Sequence, residues 1–554
     1  MGNWDILSKF QLENSKIDLR KIEQILLENR GLRTKKQQEE FLNPNLSEIT
    51  VKSLELSQKS LSKTIKRLKD AIDKKEQVIV YGDYDVDGIC ASAILWESFS
   101  ELSANIMPYI PHRVTHGYGL SIKGIEDLLL KFPKTKLIFT VDNGIVANEA
   151  VDFANERGID IVITDHHLPS KILPKAFSII HTTQICGTGV AYILSQEVKK
   201  TFGDKKKDNH LELVALATVA DLMPLIGPNR ALLKKGLEEI HETERIGLLE
   251  IFNEAEIKKE DIGTYEIGHV IAPRLNAMGR LEHAMDSLRL ICTANEKRAK
   301  ELAKKLGLTN KDRQKLTFDT LIHARKAVDG KNIKKLIFIS HKTYQEGVIG
   351  LVAGRLSEEF YRPSIVISEG KLISKASARS VKNFNIIEFI RQADDFLINA
   401  GGHPGAAGFS FETKNLPALQ KKLEKLAEKV LDEKILQKKL RIDLNLPLQF
   451  ISEKTYQAIS NFSPFGMGNP QPTFLAKNVS VEHAKVVGMD GKHLKLLIKF
   501  GEKPNEVISA IAFGMGDRLE SLQKDAKIDV VYTIEENIWN GNKKYELKIR
   551  DLII

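Results

Sequence analysis

Three apolar runs in the first third of the chain each lead into a carboxylate. They are 78–81 (VIVY) before Gly-Asp83, 137–141 (LIFTV) before Asp142, and 161–164 (IVIT) before Asp165. Short apolar runs alternating with helical patterns predict βαβ units and a parallel sheet, and a run at 177–181 continues the rhythm. In an open parallel sheet the carboxyl ends of the strands line one crevice, where ligands bind. The chain is thereby constrained to a fold that gathers several acids at one edge. Residues 83–88 read Asp-Tyr-Asp-Val-Asp-Gly. Carboxylates this close repel, and a divalent cation removes the repulsion. Gly88 permits a sharp turn into a helix starting near Ile89. An EF-hand-like loop is a poorer reading, because Ile94 stands at the twelfth position where Glu is needed. Taken alone, the stretch is equally a solvated acidic turn.

The other strand ends decide between these readings. One continues as Asp142-Asn143-Gly144 and the other as Asp165-His166-His167. Carboxylate with neutral imidazole suits manganese, zinc or iron, and magnesium less readily. Asp221 interrupts the apolar helical pattern ALATVADLM, where a buried carboxylate needs a partner; the alternative is a helix-capping Asp. Further on, Gly401-Gly402-His403 opens a glycine-rich segment reaching Gly408. Glycine there permits close backbone approach to a phosphate, and His403 can donate to it. The alternative is a helix-entry turn without ligand.

With 554 residues the chain is too long for one core, and three or four domains are expected. Residues 1–72 read as a helical extension, 73–225 as the first α/β domain, 226–330 as a helical connector and 331–439 as a second α/β domain. From 440 to 554 short alternating strands, with a hairpin signal at Asn540-Gly541-Asn542, suggest a small β-barrel. Cys90, Cys186 and Cys292 are far apart, which supports neither a disulfide framework nor a zinc-thiolate site. No apolar run is long enough to span a membrane. The N-terminus lacks a secretory pattern, and Ile6 breaks a myristoylation pattern, so the chain reads as cytoplasmic. A net charge of +9 makes a polyanionic partner plausible without specifying one.

The ordered set Asp83-x-Asp85-x-Asp87, Asp142-Asn-Gly, Asp165-His166-His167 and Ala220-Asp221 resembles the four motifs of the DHH phosphoesterases. The resemblance implies two divalent metal ions, Mn2+ or Mg2+, held by Asp85, Asp87, Asp142, His166 and Asp221, with Asp85 or Asp142 bridging. Asp83 and His167 would lie close enough to be ligands or phosphate partners, and Asp165 would orient an imidazole. All eight are therefore catalytic candidates. The implied chemistry is hydrolysis of a phosphoester or phosphoanhydride.

Within that superfamily, further segments resemble the RecJ-type exonucleases: 111–120 (PHRVTHGYGL), 271–280 (IAPRLNAMGR), 346–356, 377–380 (SARS) and 464–470 (PFGMGNP). Met278 and Met467 depart from the usual pattern at packing positions. The implied architecture is multidomain α/β: a DHH parallel-sheet domain, a helical connector, a DHHA1-like domain contacting phosphate, and a C-terminal OB-fold. Arg113, Ser377 and Arg379 would hold a terminal phosphate, and Arg280 and His403 would lie nearer the scissile bond. Tyr118 would support a base or sugar, and Asn276, Arg355 and Trp539 complete the candidate DNA contacts, Trp539 as a stacking residue. The implied activity is 5′-to-3′ hydrolysis of single-stranded DNA in repair and recombination, by a monomer working with a RecQ-like helicase and a single-strand-binding protein. A small-nucleotide phosphodiesterase would lack the β module, and a dead relative would have lost acidic motif residues.

Overall fold

The computed structural model describes residues 3–10, 18–102, 104–117, 119–203, 210–328, 333–488, 491–503, 506–539 and 542–554. The chain forms two compact units, one of Leu46–Met223 with Ala231–Gln437, the other of Met1–Asn45, Pro224–Arg230 and Lys438–Ile554. No helix among the described residues is long and apolar enough to cross a membrane.

In the larger unit the first sheet has five strands in the order Ile106–Tyr109, Gln77–Gly82, Thr135–Val141, Asp160–Asp165, Ser178–His181. Every pairing is parallel. The expected runs are strands because both faces are covered: Ile79, Val80, Leu137, Ile138, Ile161 and Val162 are all fully buried, as continuous apolar runs in parallel sheets require. The chain leaves Gln77–Gly82 for one side, then returns to its other side with Thr135–Val141. That reversal is a topological switch point, where the loops at the strand ends diverge and open a crevice. Both loops carry acids: Asp83 to Asp87 on one, Asp142 on the other. The helix Val86–Ser100 is apolar nearly all round and buried along its length, so it holds its N-terminus rigidly at the crevice.

Helices run from Leu211–Ala220 through the 32-residue Glu296–Ala327. They are tied to the first domain by Arg245, which donates to Glu97 Oε1 at 2.7 Å and to Glu212 Oε1 at 2.5 Å. The second sheet is ordered Leu397–His403, Ala406–Glu412, Ile373–Arg379, Ser364–Ser368, Ile337–His341. Its glycine-rich segment is a hairpin rather than a helix entry, with Gly401 opposite Gly408 and His403 opposite Ala406. Gly402 adopts φ +144°, and a Cβ there would meet Ala406 O at 2.3 Å, so the hairpin closes only around glycine.

The smaller unit contains a barrel whose five long strands pair in the order Phe474–Val487, His493–Lys499, Val507–Ala512, Asn542–Ile553, Lys527–Trp539, and back to the first. Only Val507–Ala512 with Asn542–Ile553 is parallel in that ring. This is the partly open five-stranded arrangement of an OB-fold. The extension expected over 1–72 is not one helical piece. Trp4–Ile6 is a strand paired with Leu440–Ile442, and Ile22, Ile25, Leu26 and Phe41 share the barrel's apolar core. Helix Gln58–Asp73 instead packs on the first sheet's edge, its buried Thr64 hydroxyl bonded to Ser178 at 2.5 Å. Residues 224–230, expected in the domains to either side of 225/226, also join the barrel. The reason is Arg230, which is fully buried, lies over the Phe41 ring and donates to the carbonyls of Phe41 and Ser463.

Candidate metal centre and phosphate pocket

The three acids of the first loop differ in their surroundings. Asp83 is wholly buried, and neither of its carboxylate oxygens has a well-formed hydrogen bond. Asp85 caps the helix Val86–Ser100, its Oδ1 accepting from the N–H groups of Asp87 at 3.0 Å and Gly88 at 3.1 Å, which satisfies donors a helix start leaves open. Asp87 is gripped by a second helix N-terminus, accepting from Gly187 N–H at 2.7 Å and Thr188 N–H at 2.6 Å. Nothing near Asp87 in the sequence announces that grip; the signal is the small-residue run Gly187-Thr188-Gly189, a hundred positions later. Gly187 is further constrained because a Cβ would meet Asp142 Cβ and Oδ1, each at 2.7 Å.

Asp142 sits in the left-handed region at φ 61°. His166 Nε2 approaches Asp142 Oδ1 to 3.1 Å, and Asp87 Oδ2 and Asp221 Oδ2 each to 3.6 Å. Asp142 Oδ1 and His166 Nε2 are both buried without a hydrogen bond of proper geometry. Atoms that converge without bonding one another are disposed as ligands about a common point. Three such groupings overlap: Asp83 with Asp85 and Asp142; Asp87 with His166 and Asp221; and Asp142 with His166 and His167. Shared Asp142 and His166 make two adjacent cation positions a natural reading of this donor set, and carboxylate with imidazole fits Mn2+ well.

The electrostatics agree. Burial first, then neighbouring carboxylates, push Asp83, Asp85 and Asp142 above the ordinary carboxyl range, and Asp221 up to about 8. Asp165 departs from that pattern and is held low. Its burial is outweighed by His167, whose Nδ1 lies 2.7 Å from Oδ1, and by the backbone N–H of Ile145 at 2.9 Å. The same pairing lifts His167 to about 9 against its own burial. The imidazole that Asp165 holds is His167.

The opposite wall comes from the connector and second sheet, joined by Arg113 of the first domain. His403, at the end of the glycine hairpin, stacks its ring on His167 with centroids 5.9 Å apart. Arg113 lies over the Tyr84 ring at 4.8 Å. Burial lowers Arg280 to about 10, with Arg113, Arg313 and Arg379 adding to the effect and Asp85 opposing it. Arg379 Nη1 donates to Ser377 Oγ at 3.3 Å, and Gly350 leaves room for both, since a Cβ would lie 2.9 Å from Ser377 Oγ. Arg113, Arg280, Ser377, Arg379 and His403 are thus brought to one crevice with the carboxylates. Asn276 Oδ1 accepts from Val86 N–H at 3.0 Å, holding the start of the helix that bears Asp87. Arg355 is exposed, 3.5 Å from Glu358. Tyr118 and the side chain of Trp539 lie outside the described residues. On the barrel, Phe513 was not anticipated; it is 53% exposed, edge-on to His493, with Lys548 Nζ 5.4 Å from its ring centre.

Comparison with known proteins places each of these parts. The chain matches the DHH family N-terminal domain over residues 77–218, the DHHA1 domain over 332–429 and the RecJ OB domain over 442–551. A Bacillus subtilis (strain 168) protein named single-stranded-DNA-specific exonuclease RecJ is 33% identical over 511 residues, covering 90% of this chain and 64% of the relative. This chain therefore spans just under two thirds of that relative. The protein of the same name from Thermus thermophilus is 30% identical over 535 residues, covering 95% of this chain and 74% of the relative. The crystal structure of Thermus thermophilus RecJ with Mn2+ superposes with a TM-score of 0.82 at 29% identity, covering 96% of this chain and 75% of that one. Its Mg2+ complex superposes with a TM-score of 0.75 at 27% identity, covering 95% and 74%.

Proposed function

Because this chain belongs to the RecJ family, we propose that it is a metal-dependent exonuclease that removes nucleotides from the 5′ end of single-stranded DNA. The observation that carries the reading is one crevice with two unlike walls. Buried carboxylate oxygens and an imidazole nitrogen without hydrogen bonds converge on one wall, and a cluster of guanidinium groups lines the other. Such a crevice suits a phosphodiester: cations bind the oxygens at the reacting phosphorus, and arginine forks grip flanking phosphates.

Asp85, Asp87, Asp142, His166 and Asp221 would hold two divalent ions, Mn2+ or Mg2+, with Asp142 between them. Those ions, when bound, supply a hydroxide at neutral pH and neutralise charge on the attacking and leaving oxygens. The chain's own groups do the rest. The Gly187 and Thr188 amides fix Asp87, Asp165 fixes His167, and charged His167 beside His403 offers N–H donors to a phosphate oxygen. Arg113, Ser377 and Arg379 would take the terminal 5′ phosphate, which sets polarity because only one strand end carries it there. The barrel would gather the strand, with Phe513 as an exposed stacking surface beside Lys548. Residues 73–223, 231–330, 331–437 and the barrel unit would act as catalytic domain, connector, phosphate-contacting domain and strand-binding module. The enzyme would serve DNA repair and recombination in the cytoplasm as a monomer, supplied with single strands by a RecQ-like helicase and a single-strand-binding protein.

Single-stranded DNA labelled at either end, incubated with Mn2+ or EDTA beside a blunt duplex, tests this. Expected is immediate metal-dependent release of mononucleotide from the 5′ label and none from the duplex. Release from the 3′ label, or cleavage confined to dinucleotides, would overturn the substrate assignment while keeping the metal chemistry.

A further inference from the structure

The arginine pocket carries more charge than one terminal phosphate can use. Besides Arg113, Arg280 and Arg379, a fourth guanidinium reaches it from the long helix Glu296–Ala327, which packs against both Ala272–Leu281 and Glu346–Phe360. This is Arg313, whose charge acts on Arg280 and which in turn feels that of Arg355. Its Nε is buried and has no hydrogen-bond partner. Other cations of the same helix do find carboxylates: Lys305 pairs with Glu282 at 2.8 Å and Asp286 at 2.9 Å, and Arg325 with Glu359 at 2.7 Å. Among the described residues no acid pairs with Arg313, and the nearby Arg355 has only Glu358, at 3.5 Å. A partly buried guanidinium with an idle donor, set among like charges, is costly unless an anion joins it. A phosphate monoester carries at most two charges, and Arg113 and Arg379 with Ser377 already suffice for one.

We propose that Arg313, with Arg355, forms a second phosphate subsite adjoining Arg280, separate from the terminal-phosphate grip. The reading rests on the proposed nuclease function and adds a residue to it. Its ligand is a phosphate group, either the internal phosphodiester on the 3′ side of the scissile one or an additional phosphate on the 5′ end. Arginine is needed because the idle Nε and its neighbouring Nη can bond two phosphate oxygens side by side, which an ammonium cannot do. The sequence hides this residue, since Arg313 is one cation among many on a highly charged helix.

The test uses the full-length Mn2+-loaded protein and its Arg313→Gln and Arg313→Lys variants. Substrates are 5′-phosphorylated single strands of two, four and twenty nucleotides, with inorganic pyrophosphate as competitor. If the ligand is an internal phosphate, Arg313→Gln raises KM on the longer strands by about tenfold and reduces the salt slope of binding by about one. The dinucleotide is then unaffected, and Arg313→Lys recovers the salt slope but not the full KM. If the ligand is an added terminal phosphate, the loss appears as weaker inhibition by pyrophosphate at every strand length. Equal kinetics, salt slope and pyrophosphate inhibition in all three proteins would overturn the subsite. So would an equal loss on every substrate with unchanged pyrophosphate inhibition, which marks a packing role. Should the parent enzyme itself spare single strands, the nuclease reading fails first, and pyrophosphate binding alone then reports on Arg313.

Discussion

Replacing Asp142 by Asn should make the metal-free protein more stable and the metal-loaded protein less so. The ligand oxygens of Asp83, Asp85 and Asp142 lie within 4.8 Å of one another. At that separation and an effective dielectric of about 20, each ionised pair costs roughly 3.5 kcal/mol. The folded protein relieves part of this by retaining protons, which is why burial and mutual repulsion push these carboxyls upward. Asn removes one charge at nearly constant volume and tolerates the left-handed φ of 61° found here. Ala would add backbone strain and confuse the comparison. The expected gain for metal-free protein at pH 8 is therefore a fraction of one pair energy, about 1–3 kcal/mol.

The pH dependence fixes the sign. A carboxyl whose folded pKa is raised contributes stability that is complete below its ordinary value of 3.8 and is lost as pH rises through its folded value, about 8 for Asp221. Each extra proton held by the native state gives a slope of about −1.4 kcal/mol per pH unit across that window. The advantage of the Asp142→Asn variant should accordingly shrink toward pH 4. Added Mn2+ at a hundred times its Kd stabilises a binding-competent protein by about 2.7 kcal/mol, and the variant should lose most of that. Urea unfolding in EDTA and in Mn2+, at pH 5 and pH 8, measures all four corners. A metal-free variant less stable than its parent at pH 8, or an undiminished Mn2+ shift, would refute the shared-charge account of this site.

Two further outcomes follow from the same geometry. Gly187→Ala should cost about 1–3 kcal/mol and weaken Mn2+ binding measured by titration calorimetry, because the new Cβ lies 2.7 Å from Asp142 Oδ1; unchanged affinity would show that the second helix does not shape the centre. Phe513→Ala should weaken binding to long single strands by about 1–3 kcal/mol in fluorescence anisotropy and spare turnover of a 5′-phosphorylated dinucleotide; undiminished long-strand affinity would remove Phe513 from the binding surface.

What could be read from sequence, and what could not, divides along the range of the interactions. Parallel strands buried on both faces write themselves as unbroken apolar runs, so their positions and the acids at their ends were legible. The glycine-rich 401–408 segment was legible as backbone that needs glycine, but not as a hairpin, because the hairpin depends on a partner strand at Ile373–Arg379. Residues 1–45 look like a free helical extension because their apolar stripe is answered only by a barrel that begins four hundred residues later. Arg230 gives no local sign that it draws residues 224–230 away from the connector. Asp-x-Asp-x-Asp presents three equivalent carboxylates, yet the fold gives each a different task. Asp83 is buried without a well-formed hydrogen bond, Asp85 closes its own helix, and Asp87 is clamped by the amides of Gly187 and Thr188. Spacing alone could not sort them, because the clamp on Asp87 comes from another helix. The sorting matters for chemistry: a carboxylate already anchored by two amides keeps its place when a cation leaves, whereas an orphaned one must take up a proton. In the metal-free protein Asp87 accordingly stays fixed by the Gly187 and Thr188 amides, whereas burial and the neighbouring Asp85 push Asp83 above the ordinary carboxyl range.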